Sequence, residues 1–355
     1  MSKVLILGDL HIGVRNGSSI FLNQTKDFLY NTLYPYIKNN NIDTVIQLGD
    51  ILDKRKQIDF VSSAFLFKHF FEWFIKNDVT LFSTLGNHDI YYKSSVKTSG
   101  IFQFAEIMDN GIHVQIINEP TIITRDNISF KLIPWICDEN KDQCISVIQQ
   151  EIPNSVICGH FELANFNIQK NVVSASGSID EELLYSANHV FSGHYHTPSD
   201  KKNIHYIGSP YCLTWNDYGD NKKFIVYDTD KDTYEEIFTK NSLFVKIIYE
   251  TGMKFVKDSS IPEGAFIKII VNEIDNALDL YIKKLVDAYN PSSYQIINVN
   301  DTNMFTDIDC NIEIDNPFDI MIKTVNTLKD VNTDYIKNEL SEIYKKASNN
   351  INANI

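Results

Sequence analysis

The chain has 355 residues, of which 43% are hydrophobic and 12% aromatic, enough to build a large core over about two domains. Its formal net charge of −14 argues against binding to polyanions through a basic surface alone. The first apolar run ends at Asp9, too early for a signal peptide, and no run of about 18 apolar residues could span a bilayer, so we expect a cytoplasmic protein.

One pattern repeats through residues 1–241. An apolar, β-branched run is followed by Gly with Asp, Asn or His, and often by a helical segment. The runs are KVLIL before Gly8, TVIQL before Gly49, VTLFSTL before Gly86, SVIC before Gly159 and HVFS before Gly193. Strands that alternate with helices predict an α/β sheet, and we expect the five strand ends to gather at one edge of a sheet.

Two helices are predicted between the first strands. Residues 22–39 have helical character, with Pro35 marking a kink or an early end. Residues 59–77 place five side chains at spacings of three and four, namely Phe60, Ala64, Phe67, Phe71 and Phe74. This spacing predicts a helix with a buried aromatic stripe. A ligand-binding function for the stripe is the less favoured alternative to core packing.

The character of the chain changes after an alternating segment, KFIVYDTDKDTYEEIF, that predicts an edge hairpin. Residues 242–300 predict a small α+β domain with strands over 243–249, 265–272 and 294–299 and a helix over 276–289. Residues 301–316 predict an extended acidic linker, since Asp301 to Asp319 contains six acidic residues and no Lys or Arg.

Two short amphipathic helices are predicted over residues 317–355, with Pro317 in the first turn. One helix presents Phe318, Met321, Ile322, Val325 and Leu328, and the other presents Tyr335, Ile336, Leu340, Ile343 and Tyr344. So short a unit buries little surface by itself. It either folds back on its own domain or docks on a partner.

The chemistry lies in the residues that follow the strands. Read in chain order, the motifs are GDLH, GDILD, GNHD, GHFE and GHYH. They supply seven nitrogen or oxygen ligands, which are Asp9, His11, Asp50, Asn87, His160, His194 and His196. Seven exceed the needs of one ion but suit two divalent ions about 3.5 to 4 Å apart, bridged by one carboxylate. A ligand set without thiolate favours manganese, iron or zinc over magnesium alone.

A simpler interpretation is available for each motif taken alone. Asp, Asn and Gly are common at strand ends, and a histidine there often only satisfies the backbone. That interpretation explains any single motif better than it explains five in this order, with GNHD and GHYH both present.

The five motifs resemble those of the calcineurin-like metallophosphoesterases, over residues 3 to about 228. The resemblance implies a two-sheet α/β sandwich with helices outside. It implies one ion held by Asp9, His11, Asp50 and His196, and a second held by Asp50, Asn87, His160 and His194. Asp50 would be the bridge. It also implies that His88 donates a proton or contacts phosphate, with Asp89 fixing its tautomer.

Segments between the motifs indicate which group within this family the chain resembles most. HYIGSPY at 205–211 and LIPW at 132–135 are similar to SbcD-type DNA nucleases, and GDILDKRK at 49–56 and IPWICDEN at 133–140 resemble the recombination endonuclease subunits of T-even-like phages. The resemblance implies a two-metal exonuclease or endonuclease, most simply with Mn²⁺, acting in DNA end processing, recombination and repair. It further implies that residues 242–300 cap the DNA, that the terminal helices dock on an SbcC-like coiled-coil ATPase, and that the chain is a homodimer.

Basic residues beside the first two motifs are candidate DNA contacts: Arg15, Lys54, Arg55 and Lys56. Asp53 departs from the pattern of archaeal and eukaryotic members, which carry His three residues after the bridging Asp. The balance of exonuclease and endonuclease activity is therefore open. Two other functions are also open: a phosphodiesterase or phosphatase for small nucleotides, and a non-catalytic scaffold for the ATPase.

Overall fold

The computed structural model describes residues 3–102, 112–170, 172–240 and 242–299. The chain divides into two compact units, Met1–Met304 and Phe305–Ile355. The predicted acidic linker and the two predicted terminal helices lie outside the described residues. Among the helices of the described ranges, none is long and apolar enough to cross a membrane.

The first six-stranded sheet has the strand order β14-β13-β1-β2-β3-β4. Its strands are β1 (Lys3–Leu7), β2 (Thr44–Gln47), β3 (Thr80–Thr84), β4 (Val114–Ile117), β13 (Lys223–Asp228) and β14 (Thr233–Phe238). The first four are parallel to one another, and β13 pairs antiparallel with β1 and with β14. The predicted edge hairpin is confirmed, although its inner strand is buried along its whole length.

The second six-stranded sheet has the order β11-β12-β10-β7-β6-β5. Its strands are β5 (Thr121–Arg125), β6 (Ile128–Ile133), β7 (Ser155–Gly159), β10 (His189–Ser192), β11 (Ser199–Lys201) and β12 (Ile204–Tyr206). A small hairpin, β8 (Asn167–Gln169) and β9 (Val172–Val173), precedes β10. Apolar residues of both sheets form one core, with Val4, Ile46 and Phe82 from the first and Phe130 and Phe191 from the second. The fold is therefore the α/β sandwich that the resemblance implied.

All five apolar runs of the sequence form strands, which confirms that part of the prediction. Their placement at the edge of a single sheet was wrong, because β1, β2 and β3 belong to one sheet and β7 and β10 to the other. Each buried run fits a central strand of either sheet, since a parallel strand covered on both faces is apolar throughout. Hydrophobicity by itself could not assign the runs to different sheets.

The helices flank the sheets and are interrupted. Helix Ser19–Phe28 passes through a π-helical turn, Leu29–Leu33, into helix Tyr34–Asn39, and helix Phe60–Phe65 passes through a second, Leu66–Phe71, into helix Glu72–Lys76. Further helical segments are Lys141–Ile148, the 3₁₀ turns Glu181–Leu184 and Trp215–Asp217, and a distorted turn Val14–Gly17. Both predicted helices are thus present. Pro35 lies in the first turn of helix Tyr34–Asn39, so it does not end the helical segment, which is instead interrupted just before it by the π-helical turn.

The predicted aromatic stripe was partly wrong. Phe71 and Phe74 are buried, but Phe60 is 95% exposed and Phe67 40% exposed. The π-helical turn over Leu66–Phe71 holds one extra residue, so the helix faces before and after it are out of register. A constant 3.6-residue period therefore placed the N-terminal part of the stripe on the wrong face.

Residues 244–298 form a three-stranded parallel sheet covered by one helix. The strands are β15 (Phe244–Tyr249), β16 (Phe266–Val271) and β17 (Ser293–Asn298), and the helix is Leu278–Tyr289. These elements match the predicted ones within two residues. Phe244 and Phe266 pack against Phe21 of the first helix. The predicted boundary near residue 241 lies inside the first compact unit, and a capping function for this sheet stays a prediction.

Candidate metal centre and active site

The loops after five strands, three from one sheet and two from the other, bring the predicted ligands together. Two clusters form: Asp9, His11 and His196, and Asp50, His160 and His194, with the ligand atoms of each cluster within 4.8 Å of one another. The amide oxygen of Asn87 lies 3.0 Å from Nε2 of His160 and 3.0 Å from Nδ1 of His194. Asn87 therefore belongs to the second cluster.

The position of Asp50 joins the two clusters. Its Oδ2 atom lies 3.3 Å from Nε2 of His160 in the second cluster and 3.8 Å from Nε2 of His11 in the first. The first cluster is closed by His196, whose Nε2 lies 2.9 Å from Nε2 of His11 and 3.8 Å from Oδ2 of Asp9. One carboxylate between two groups of ligands is the arrangement of a two-metal site.

The backbone at the site is strained in a way that aims these side chains. His11, Asp50 and His194 have φ values of 47°, 53° and 87°, in the left-handed region that non-glycine residues rarely adopt. Glycines make room beside them. A Cβ atom at Gly86 would overlap the Asp50 carboxylate, and one at Gly193 would overlap that of Asp9. The Gly-Asp, Gly-Asn and Gly-His motifs thus combine a ligand with the space the ligands need.

Burial sets the protonation states of the site. It raises the pKa of Asp9 to about 7 and lowers the pKa of His11, His194 and His196, which keeps those imidazoles neutral. Burial also acts to raise the pKa of Asp50, but His160 and His88 outweigh it and hold that pKa low. Neutral imidazoles, two buried carboxylates and an amide oxygen are a donor set that fits divalent metal ions.

Contacts behind the ligands orient their rings. Nδ1 of His160 lies 2.8 Å from the carbonyl oxygen of Leu48, and because a carbonyl can only accept, Nδ1 carries a hydrogen and Nε2 is the ring nitrogen that faces the site. Burial would lower the pKa of His160, yet the Asp50 carboxylate raises it to about 9. Nδ1 of His11 lies 3.7 Å from the Asp53 carboxylate.

His88 sits beside the clusters without belonging to either. Its backbone N–H donates to Oδ1 of Asp50 at 2.8 Å, and its ring centroid is 5.0 Å from that of His11. Nδ1 of His88 lies 2.5 Å from the backbone carbonyl oxygen of Asp53, so Nδ1 is the donor in that bond. Nε2 is then the ring nitrogen that can exchange a proton with a substrate.

Asp89 has a different role from the one expected. Its carboxylate accepts hydrogen bonds from the backbone N–H groups of Leu52 at 3.0 Å and Gly86 at 2.9 Å. Asp89 therefore ties the loop after β2 to the loop after β3, whereas Asp53 supplies the carbonyl that orients His88. Burial raises the pKa of Asp89 to about 7. The expectation that Asp89 fixes the tautomer of His88 is corrected accordingly.

The four basic residues predicted to contact DNA differ in the contacts that they make within the protein. Lys54 donates to the side chain of Asn16, and Nε of Arg55 donates to the carbonyl oxygen of Asn87 at 2.6 Å. The Arg15 guanidinium lies over the ring of Phe266, 4.6 Å from its centroid. Lys56 is exposed. Of these contacts, the Arg55 hydrogen bond reaches the loop that carries the predicted ligand Asn87.

Two supporting residues were missed by sequence reasoning. The buried Lys222 ammonium donates to the carbonyl oxygen of His196 at 2.8 Å and to Asp217 at 3.2 Å, and so fixes the loop that carries His196. The ring of Trp135 lies 5.3 Å from that of His194 and 5.9 Å from that of His160. Trp135 could have been predicted from the sequence, since it is the aromatic residue of the LIPW segment. No motif or spacing in the sequence pointed to Lys222.

The fold and the site define a phosphoesterase of the two-sheet α/β class. Residues 2–198 match the calcineurin-like phosphoesterase family, and the chain belongs to that family. Its members use two divalent metal ions, and the clusters joined by Asp50 are the candidate sites for them. The chain is similar to Exonuclease subunit 1 of Enterobacteria phage T4, with 28% identity over 330 residues that cover 93% of this chain and 94% of the T4 protein.

Two solved structures are similar to part of this chain, both at low sequence identity. One is described as a novel archaeal phosphodiesterase, with 13% identity, a TM-score of 0.34 and coverage of 67% of this chain and 99% of that one. The other is GAP50, the anchor in the inner membrane complex of Plasmodium, with 13% identity, a TM-score of 0.38 and coverage of 67% and 88%.

Proposed function

We propose that this chain is a two-metal DNA phosphodiesterase, the nuclease subunit of a complex with an SbcC-like ATPase that processes DNA ends in recombination and repair. The observation that carries the proposal is the pair of clusters joined by Asp50, with His88 beside them. The similarity to a phage exonuclease subunit, which extends over 93% of the chain, favours DNA over a small nucleotide as the substrate.

The assignment of ligands follows the clusters. Asp9, His11 and His196 with Asp50 would hold one ion, and Asn87, His160 and His194 with Asp50 the other. Two such ions, most simply Mn²⁺, supply charge neutralisation at the phosphate and a water of lowered pKa. The chain itself contributes the fixed geometry of the ligands and a proton for the leaving oxygen from Nε2 of His88.

The proposal is tested by nucleotide release from end-labelled linear duplex DNA with the purified chain, in parallel with manganese, magnesium and EDTA. We expect release with manganese and none with EDTA. Turnover of a small phosphodiester without any release from DNA, in the presence of the ATPase subunit, would show a small-substrate enzyme instead. Activity toward neither substrate would support the scaffold alternative.

Docking of the ATPase on residues 317–355 is also part of the proposal. We expect Met321→Glu to weaken co-purification with an SbcC-like ATPase by at least about tenfold, because a carboxylate on the apolar face of the predicted helix opposes its burial in an interface. Metal content should be unchanged. Co-purification at the wild-type level would contradict docking through this segment, and Lys329→Glu, which changes a charge outside the predicted apolar face, is the control.

Dimerisation is proposed through the exposed face of the helix that begins at Phe60. Phe60 is 95%, Val61 63% and Phe67 40% exposed, and several exposed apolar side chains on one helix are typical of an interaction surface. A second copy of the chain would cover them. This surface is the N-terminal part of the aromatic stripe that the sequence had placed in the core.

We expect Phe60→Asp to convert the dimer to a monomer in light scattering at micromolar concentration, because the interface would have to bury a new charge. Phe238→Asp, at an aromatic residue 55% exposed on edge strand β14, is the matched control and should leave the dimer intact. A wild-type chain that is monomeric throughout this concentration range would refute the dimer.

A further inference from the structure

Two adjacent tyrosines lie exposed on the loop that follows the GNHD motif. Tyr91 is 38% and Tyr92 50% exposed, and their ring centroids are 4.7 Å apart with the rings at 68°. The ammonium of Lys56 lies 5.4 Å from the centroid of Tyr91. An aromatic pair with a cation beside it presents a π surface and a positive charge at one place on the protein.

The loop holds these rings outward. The N–H of Tyr91 donates to the carbonyl oxygen of Thr98 at 2.9 Å, and the N–H of Ser95 donates to that of Tyr92 at 3.2 Å. Ile90 and Val96 are buried and anchor the loop on both sides of the turn. The exposure of the rings is therefore a property of a fixed turn that has its own apolar anchors.

The same loop is tied to the candidate active site. Tyr91 follows His88 by three residues, so at most about 11 Å separates their Cα atoms. That distance is about three base steps of one DNA strand, at roughly 3.4 Å each. Hydrogen bonds from the Arg55 side chain to Asn87 and from Leu52 to Asp89 join the loop to the segment that carries Lys56.

We infer that Tyr91 and Tyr92, with Lys56, form a stacking platform for an unpaired base within about three nucleotides of the phosphate being cleaved. The inference rests on the proposed nuclease function and specifies its substrate as DNA whose terminal nucleotides are unpaired. In a duplex the bases stack on one another, so their faces are available to a tyrosine only where the strand is single or frayed. Lys56 would contact the neighbouring phosphate.

The test compares three substrates of the full chain with manganese: a duplex with a short thymidine tail, the same duplex with an abasic tail, and a small chromogenic phosphodiester. The variants are Tyr91→Ala/Tyr92→Ala and Tyr91→Phe/Tyr92→Phe, and Phe238→Ala is the matched control. We expect the double Ala variant to raise KM for the thymidine tail about 10- to 100-fold, and the double Phe variant to restore it. The abasic tail should remove the difference between wild type and double Ala variant.

Two results would overturn the inference while keeping the nuclease function: an equal KM effect on both tails, or an equal fall in turnover of the small phosphodiester, which would make the loop a mere support for Asn87. A wild-type chain that turns over the small phosphodiester but cleaves neither DNA, with its ATPase subunit present, would remove the proposed nuclease function and this inference with it.

Discussion

His88→Ala should lower the rate of DNA hydrolysis by about 10²- to 10⁴-fold while both metal ions stay bound. His88 lies outside both clusters of ligands, and its Nδ1 is engaged by the carbonyl oxygen of Asp53. The variant therefore removes a proton donor and leaves every proposed metal ligand in place. Hydrolysis is measured on end-labelled duplex, and metal content by elemental analysis of the same preparation.

The control for His88→Ala is His113→Ala, at a histidine that contacts Asp78 beside strand β4. It should keep full activity and full metal content. A fall in bound metal parallel to the fall in rate would show that His88 is a ligand, and the assignment would then have to change. An unchanged rate of hydrolysis would show that His88 takes no part in the reaction.

Asp50→Ala should empty both metal sites and abolish hydrolysis. Oδ2 of Asp50 lies within 3.8 Å of ligand nitrogens of both clusters, so its loss removes a ligand from each. It also leaves His160 without the carboxylate that raises its pKa. We expect fewer than about 0.2 metal equivalents per chain after dialysis, against two for wild type.

The matched variant for Asp50→Ala is Asp9→Ala, which removes a buried carboxylate from one cluster only and should lose one equivalent. Both chains are compared with wild type by thermal unfolding in EDTA, which separates loss of ligands from loss of the fold. One full equivalent retained by Asp50→Ala would mean that the carboxylate serves a single ion and that another group bridges the sites.

Several features of the candidate site were predictable because they depend on short stretches of chain. An apolar run that ends in Gly and a polar residue is a local pattern, so the strands and the seven predicted ligands could be named from it. The position of Asp53 was noted only as a departure from a family pattern. Its contacts with His88 and His11 join different loops, and no spacing along the chain encodes them.

The sequence by itself determined which segments are buried strands and helices and which residues have metal-binding chemistry, because hydrophobic runs and ligand types are properties of single residues and their neighbours. Only the tertiary structure decided that the five strands divide between two sheets, that Phe60 faces solvent, and that Lys222 supports the His196 loop. Pairing of strands, the register shift of a π-helical turn and contacts between loops depend on residues far apart in the chain, and their energies come from packing that no local pattern contains.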